Sequence, residues 1–259
     1  MGIVNVTPDS FFAAARTGAL DQAVARGVAL FAAGCDVVDV GGESTRPGAL
    51  DVALSEELAR VVPVVRALAA HGPVSIDTRK PEVARAAVSA GACILNDVSG
   101  TLVEVAGDAG VGYVAMHSRG TPQTMQDDPR YDDVVAEVLA SLETMARRAR
   151  AAGVAALWLD PGIGFGKTVE HNLALVARCA DVVALARRYD AGVLIGTSRK
   201  GFLAHLGPEV LDVDERLEGS IATAAWALAS GVTMIRVHDA VAALQARDLV
   251  TRPVAEVGS

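Results

Sequence analysis

Cysteine, basic charge and long hydrophobic runs are all scarce in this chain, and each scarcity excludes something. Only three of the 259 residues are cysteine. Cys35, Cys93 and Cys179 form no CxxC pair and no Cys/His group with zinc-ligand spacing, which excludes a disulfide framework and a zinc-ribbon site. They read as buried free thiols of a reducing compartment. Lysine and arginine number 23 against 31 acidic residues, for a net charge of −8. A global basic field for nucleic acid is therefore absent, whereas an anion site inside one cleft remains compatible with that balance. The longest uncharged stretch, between Glu218 and Arg236, is marginal for a membrane span and is divided by Gly231. It predicts a buried helix followed by a buried strand. The opening MGIVNVTPDSFF has no basic segment leading into an apolar run. No secretory leader is expected there, and a cytoplasmic location is. No Pro/Ser-rich linker or composition shift separates a second domain, so one domain over residues 1–259 is expected. What the chain has in quantity is apolar residues, 51% against 21% charged. That is enough for a full core without staples, and it excludes a disordered chain.

An internal repeat sets the architecture. A small residue or His, then glycine, then an apolar run recurs as AGCDVVDV, HGPVSID, AGACILND, AGVGYVAMH, AGVAALWLD, AGVLIG and SGVTMIRVH. Glycine just past a helix end supplies a left-handed turn that closes the last carbonyls. The runs that follow are continuous rather than alternating, as in parallel strands covered on both faces. With GIVNV at Gly2–Val6 they make eight strands. Between them, Leu20, Ala23, Val24, Gly27, Val28 and Phe31 recur at helical spacing, as do Tyr131, Val134, Val135, Val138, Leu139 and Leu142. Pro63 is expected to kink or delay a helix over 55–70. Gly72, Gly91 and Gly110 lie so close in sequence that only short helices fit between them. Eight such units predict an α/β fold, an eight-stranded parallel β/α barrel of the TIM type, with a doubly wound open sheet as the rival.

In such a barrel the active site lies at the C-terminal ends of the strands. Polar groups end nearly every run: Asn5, Asp39 with Glu43 beyond it, Asp77, Asn96–Asp97, His117, Asp160, and Arg236 with His238. A polar residue after one apolar run is chance; one after nearly every run is the pattern of a site built from many strands. Asp77 and Asp160 are expected to be buried and to need donors. Helix capping is the simpler use of either alone. Together with Asn96 they suit a flat ligand with a guanidine-like edge, which a carboxylate meets through parallel hydrogen bonds. Arg46, Arg199, Lys200, Arg236 and His238 follow strands and favour an anion site, most of them after strands 7 and 8, where barrels commonly bind phosphate. Asn5 offers a neutral oxygen to a Mg²⁺ ion that keeps waters and bridges a pyrophosphate. PGIGFGKT at 161–168 imitates a phosphate-binding P-loop, but Pro161 stands where that motif needs glycine, so its glycines read as a tight loop close to a ligand.

NVTPDSF, VDVGGESTRPGA, SIDTRKPEVA, NDVSG, MH, LDPGIGFGK, SRKGF, ERLEGS and RVHD occur in this order along nearly the whole chain. Together they resemble the dihydropteroate synthase family. The resemblance implies a homodimeric β/α barrel of folate synthesis, requiring Mg²⁺ and inhibited by sulfonamides. It implies condensation of p-aminobenzoate with hydroxymethyl-dihydropterin pyrophosphate and release of pyrophosphate. By position it further implies that Asp77, Asn96, Asp160 and Lys200 hold the pterin and that Met116 and Phe165 wall its pocket. Asn5, Arg236 and His238 would hold pyrophosphate and metal, while Phe11, Thr45, Arg46 and Ser198 shape the p-aminobenzoate side. Catalysis would rest on Asp77, Lys200, Arg236 and His238: the aniline nitrogen is already a nucleophile, so the work lies in stabilising the leaving charge and the cation it leaves behind.

One segment departs from the family pattern. The usual SFSDGG is SFFAAA here, so the loop aspartate falls on Ala13 and two glycines on Ala14 and Ala15. Alanine favours helix over a mobile lid. The alternative reading is a pterin-binding paralogue with weak or no synthase activity. The intact GGESTRPG and SRK motifs oppose it, and equally oppose a pterin-dependent methyltransferase. A sugar-phosphate barrel enzyme would want a catalytic Lys on a strand or a Glu base, and Lys200 lies past its strand.

Overall fold

The computed structural model describes residues 1–6, 16–44, 48–121 and 123–252. Eight strands alternate with helices: β1 Gly2–Asn5, α1 Arg16–Ala33, β2 Val38–Gly41, α2 Leu54–Leu68, β3 Val74–Asp77, α3 Pro81–Ser89, β4 Ile94–Asp97 and α4 Val103–Ala109. Then follow β5 Gly112–Met116, α5 Val134–Ala152, β6 Leu157–Asp160, α6 Val169–Ala177, α7 Cys179–Arg188, β7 Gly192–Ile195, α8 Leu217–Ala229, β8 Met234–Ile235 and α9 Ala240–Thr251. The strands pair in chain order, each parallel to the next. Gly2 bridges Val237, with Ile3 N–H donating to the Val237 carbonyl at 3.1 Å and Val237 N–H to the Met1 carbonyl at 3.0 Å. These contacts join the last strand to the first, so the sheet is a barrel and not an open layer.

Alternation along the strands places the site. The main core lies between strands and helices, and a smaller cluster of Met1, Val37, Ile94, Val114 and Leu194 packs with Trp158 and Met234. Residues two apart on a strand share a face. Asp39, Asn96, Met116, Asp160, Gly196 and Arg236 each stand two positions beyond a member of that cluster. The apolar plug therefore forms the floor, and the next layer toward the strand ends is polar.

Several local expectations change. Pro63 lies inside one helix, α2, which neither starts late nor stops there. Its ring costs only the hydrogen bond to the Ala59 carbonyl, and Val61, Val64, Val65 and Leu68 hold the helix by burial. Left-handed glycines precede five of the strands, at Gly34, Gly91, Gly110, Gly153 and Gly231. Gly72 and Gly192 are not among them; before β7 it is Asp190 that adopts positive φ. Those two glycines serve close packing, since a Cβ would lie 2.7 Å from the Phe31 ring and 2.5 Å from Thr233 Oγ1 respectively. Cys35 and Cys179 are buried free thiols, but Cys93 is exposed. The uncharged segment is not uniformly buried either: only Ser220, Ala224 and Ala227 of α8 are, and Trp226 is exposed. Among the described residues no helix is long and apolar enough to cross a membrane.

Candidate active site

A cavity of about 710 Å³ opens at the C-terminal ends of the strands. Asn5, Asp77, Asn96, Met116, Asp160, Phe165, Ser198, Lys200, Arg236 and His238 all line it, so the barrel gathers ten of the sequence-predicted site residues. Phe11, Thr45 and Arg46 lie outside the described residues. Asp97 and His117, which also end strands, do not line the cavity. Asp97 accepts from Ser99, the Leu102 N–H and the Tyr113 hydroxyl, and so holds the start of α4.

At the centre, the Arg236 guanidinium bridges two carboxylates. Its Nε donates to Asp39 Oδ2 at 2.6 Å and its Nη2 to Asp77 Oδ2 at 2.9 Å. The same Asp39 oxygen accepts from Asn96 Nδ2 at 3.0 Å. Burial opposes the Arg236 charge, yet Asp39 and Asp77 prevail and hold its pKa above the ordinary value. Burial pushes the Asp77 carboxyl up to about 7; Arg236 opposes the rise, and Asp39, Glu57 and Asp97 add to it. Asp39 Oδ1 and Asp77 Oδ1 are buried with no hydrogen-bond partner among the described residues. Such orphaned acceptors are costly and mark a place where a ligand's donors or cations are wanted. Asp77 does not cap α3, whose N-cap is Lys80 without a side-chain bond.

On the opposite wall Asp160 Oδ1 accepts from Gly162 N–H at 2.7 Å, which fixes the carboxylate at the end of β6. Burial raises its pKa, against the pull of Lys200 and that N–H. Lys200 donates to the Ile163 carbonyl, and its ammonium stands 4.6 Å from the Phe165 ring centre. Burial brings that ammonium down to about 8, with Asp160 holding it up. Gly162, Gly164 and Gly166 all have positive φ, and a Cβ on Gly162 would fall 1.8 Å from the His117 carbonyl oxygen. The expected tight loop is there, and it leaves no room for side chains.

Ser198 Oγ lies 3.1 Å from both His238 N and His238 Nδ1, which ties the loop after β7 to the loop after β8. Arg199, expected among the anion-binding cations, spends its charge on Asp239 at 2.6 Å and Asp214 at 2.9 Å. At the rim Glu43 accepts from Val52 N–H, Arg79 and Lys80, and the fully buried Glu57 accepts from Lys80 and Thr78. This network braces the segment beside Thr45 and Arg46. The sequence marks Asp39 and Glu43 as polar groups at a strand end but does not reveal their roles, beneath Arg236 and in this network; the role of Lys167 beneath the glycine loop it does not reveal at all.

No group of three or more His, Cys, Asp or Glu side chains among the described residues is arranged to hold a metal. Asn5 lines the cavity level with Gly41, whose bare α-carbon leaves space between Asn5 Oδ1 and Asp77. That donor set fits a hard ion bound mainly by waters and a substrate's phosphates, with one neutral protein oxygen, rather than an all-protein cage.

The pterin binding enzyme family matches residues 1–238. Dihydropteroate synthase of Escherichia coli K12 is 43% identical over 261 residues, covering 96% of this chain and 89% of that protein. Two solved structures align over 96% of this chain. Xanthomonas albilineans dihydropteroate synthase with 4-aminobenzoic acid is 42% identical at a TM-score of 0.85, with 90% of that chain covered. The Thermus thermophilus enzyme in complex with 6HMPPP is 41% identical at a TM-score of 0.81, with 91% covered. Likeness in sequence, in fold and in the order of motifs leads to one placement: this chain belongs to the pterin binding enzyme family.

Proposed function

We propose that the protein is a dihydropteroate synthase. It joins p-aminobenzoate to hydroxymethyl-dihydropterin pyrophosphate, making dihydropteroate and pyrophosphate for folate synthesis. The observation that carries this is the gathering in one cavity of Asp160 and Lys200, from the ends of β6 and β7, with Asp77, Asn96 and Arg236, from the ends of β3, β4 and β8. A pterin's aminopyrimidine edge presents N–H donors to Asp160 and acceptors to Asn96 and Lys200, while Met116 and Phe165 cover its faces. Arg236 and His238 receive the charge that develops on pyrophosphate as the C–O bond to the pterin methylene breaks. Arg236 is held by Asp39 and Asp77 before any ligand arrives, so the diphosphate must draw on a guanidinium already in place. Asp77 stands beside the methylene and steadies the cation. The aniline nitrogen then forms the C–N bond and gives up a proton. The family resemblance assigns Phe11, Thr45, Arg46 and Ser198 to the p-aminobenzoate side, where sulfonamides would compete. Mg²⁺, held by the diphosphate, waters and Asn5, would supply neutralisation of the leaving group's charge.

The protein is further proposed to act in the cytoplasm as a homodimer. The exposed Trp226 on the apolar helix α8 supports association of two copies, because large apolar surface on a helix favours burial against a partner. The test is purified protein with Mg²⁺, p-aminobenzoate and the pterin pyrophosphate, followed by pyrophosphate release and dihydropteroate formation. Release dependent on p-aminobenzoate is expected. Pterin binding without any release above background would replace this reading with that of a non-catalytic pterin binder.

A further inference from the structure

Lys167 is a buried cation with no part in the reaction just described. Its ammonium lies 3.0 Å from His117 Nδ1, 2.9 Å from the Gly162 carbonyl and 3.0 Å from the Phe165 carbonyl. Three donors meet three acceptors, so its hydrogen-bonding capacity is filled. All three acceptors are neutral. His117 must present a lone pair at Nδ1 and therefore carries its proton on Nε2. Burial brings the Lys167 ammonium down to about 7, with Asp160 holding it up. A buried ammonium whose hydrogen-bond partners are all neutral is a poor device for stability, since an apolar side chain of similar volume usually serves as well. It is a good device for fixing geometry. The two carbonyls belong to opposite ends of the tight glycine turn, and His117 belongs to the end of β5 beneath it. The outer side of the same turn carries the Ile163 carbonyl and the Phe165 ring, both of which engage Lys200.

We propose that Lys167 is the positioning residue for pterin recognition: seated on His117, its ammonium clamps the 161–167 loop so that Ile163 and Phe165 hold Lys200 in place against the heterocycle. This rests on the pterin reading above. Lys167 borders the cavity, but its three donors are taken up by His117, Gly162 and Phe165, so it acts through Lys200.

Two measurements on the full chain test it. In Lys167→Met, deuterium exchange of the loop amides over 162–167 should rise roughly tenfold or more, because the clamp no longer opposes local opening. Affinity for 6-hydroxymethylpterin should fall about tenfold or more by calorimetry, with KM for the pterin pyrophosphate rising in step and KM for p-aminobenzoate within about twofold. A merely structural lysine would instead lower the melting temperature and leave the two KM values in their original ratio; that result, or unchanged loop exchange, overturns the proposal. If Lys167→Met does not fold, His117→Gln decides, as it alters one acceptor and spares the ammonium. A loss of pterin affinity of about threefold or more supports the clamp, and unchanged affinity overturns it. Wild-type protein that binds no pterin, alongside a variant whose loop exchange does rise, sinks the pterin reading and removes recognition from the clamp's role.

Discussion

Replacing Asp39 by asparagine should move the acid limb of the pH–rate profile to lower pH. In the wild type, Asp77 titrates near 7 because it is buried, with Asp39 among the neighbours that keep it protonated. As a carboxylate that steadies a cation it must be ionised, so kcat/KM should rise with pH through that region. Asp39→Asn keeps the shape and removes one negative charge from the pair that shares Arg236. Two carboxylates bridged by one guanidinium stand roughly 5 Å apart, and at an effective dielectric near 20 their repulsion is about 3 kcal/mol, or about two pK units. Relaxation of Arg236 toward Asp77 favours ionisation further, whereas the exposure of the cavity to solvent weakens the repulsion; a downward displacement of about one unit or more is expected. The fold should weaken as well. The new NH₂ group would occupy the place of Asp39 Oδ1, which has no partner among the described residues, or turn its hydrogens toward Arg236. Either arrangement costs about 2–4 kcal/mol. The assay is pyrophosphate release over pH 5–9, with wild type and variant compared on the same substrate so that substrate ionisation cancels. A limb that stays put, or moves to higher pH, would refute the claim that Asp39 and Asp77 are electrostatically linked through Arg236.

Other outcomes are expected of other residues. Asp160→Asn puts a donor where the aminopyrimidine edge brings donors, and should weaken pterin binding by about 2–4 kcal/mol, roughly 30- to 1000-fold by titration calorimetry; a loss below about threefold rejects its role. Ala13→Asp restores the family's loop carboxylate and should raise turnover about tenfold or more if that charge assists the cation; an unchanged rate rejects the idea. His117 should make the protein acid-sensitive. Burial, then Lys167 and Arg119, lower its pKa to about 3 despite the nearby Glu137, with Tyr131 as the adjoining ring. The unfolded chain binds this proton near 6.5, so the stabilisation is complete above that pH and is lost as pH falls toward 3, with about 3 kcal/mol gone by pH 4. Urea titrations at pH 7 and pH 4 should show this loss, and His117→Gln should reduce it.

Much of this architecture was legible in the sequence, and for a physical reason. Parallel strands buried on both faces must be continuously apolar, and a strand end at a polar cavity must be abruptly polar. ILND, LWLD and VSID state both facts within four residues each. The convergence of Asp77, Asn96, Asp160, Lys200 and Arg236 followed from barrel closure. Pairings distant in sequence were not legible: Asp39 with Arg236 spans the closing seam, and Lys167 with His117 depends on how a glycine turn folds back. The pairing of Arg199 with Asp214 and Asp239 was not legible for the same reason, because these partners lie in other loops. Pro63 does not delay α2, because local helix rules omit the tertiary burial that carries the helix.

The strand register has a further consequence. Asp77 pairs level with Asn96, and Met116 level with Asp160. Neighbouring strands are spaced by about 4.8 Å, so these groups form a comb whose pitch is set by the backbone and not by side-chain adjustment. A ligand of the wrong width cannot be met by sliding one tooth, because a one-residue slip would turn that strand's inward groups outward. Discrimination by ring width is thus inherited from the sheet itself, and changing it would require rebuilding a strand.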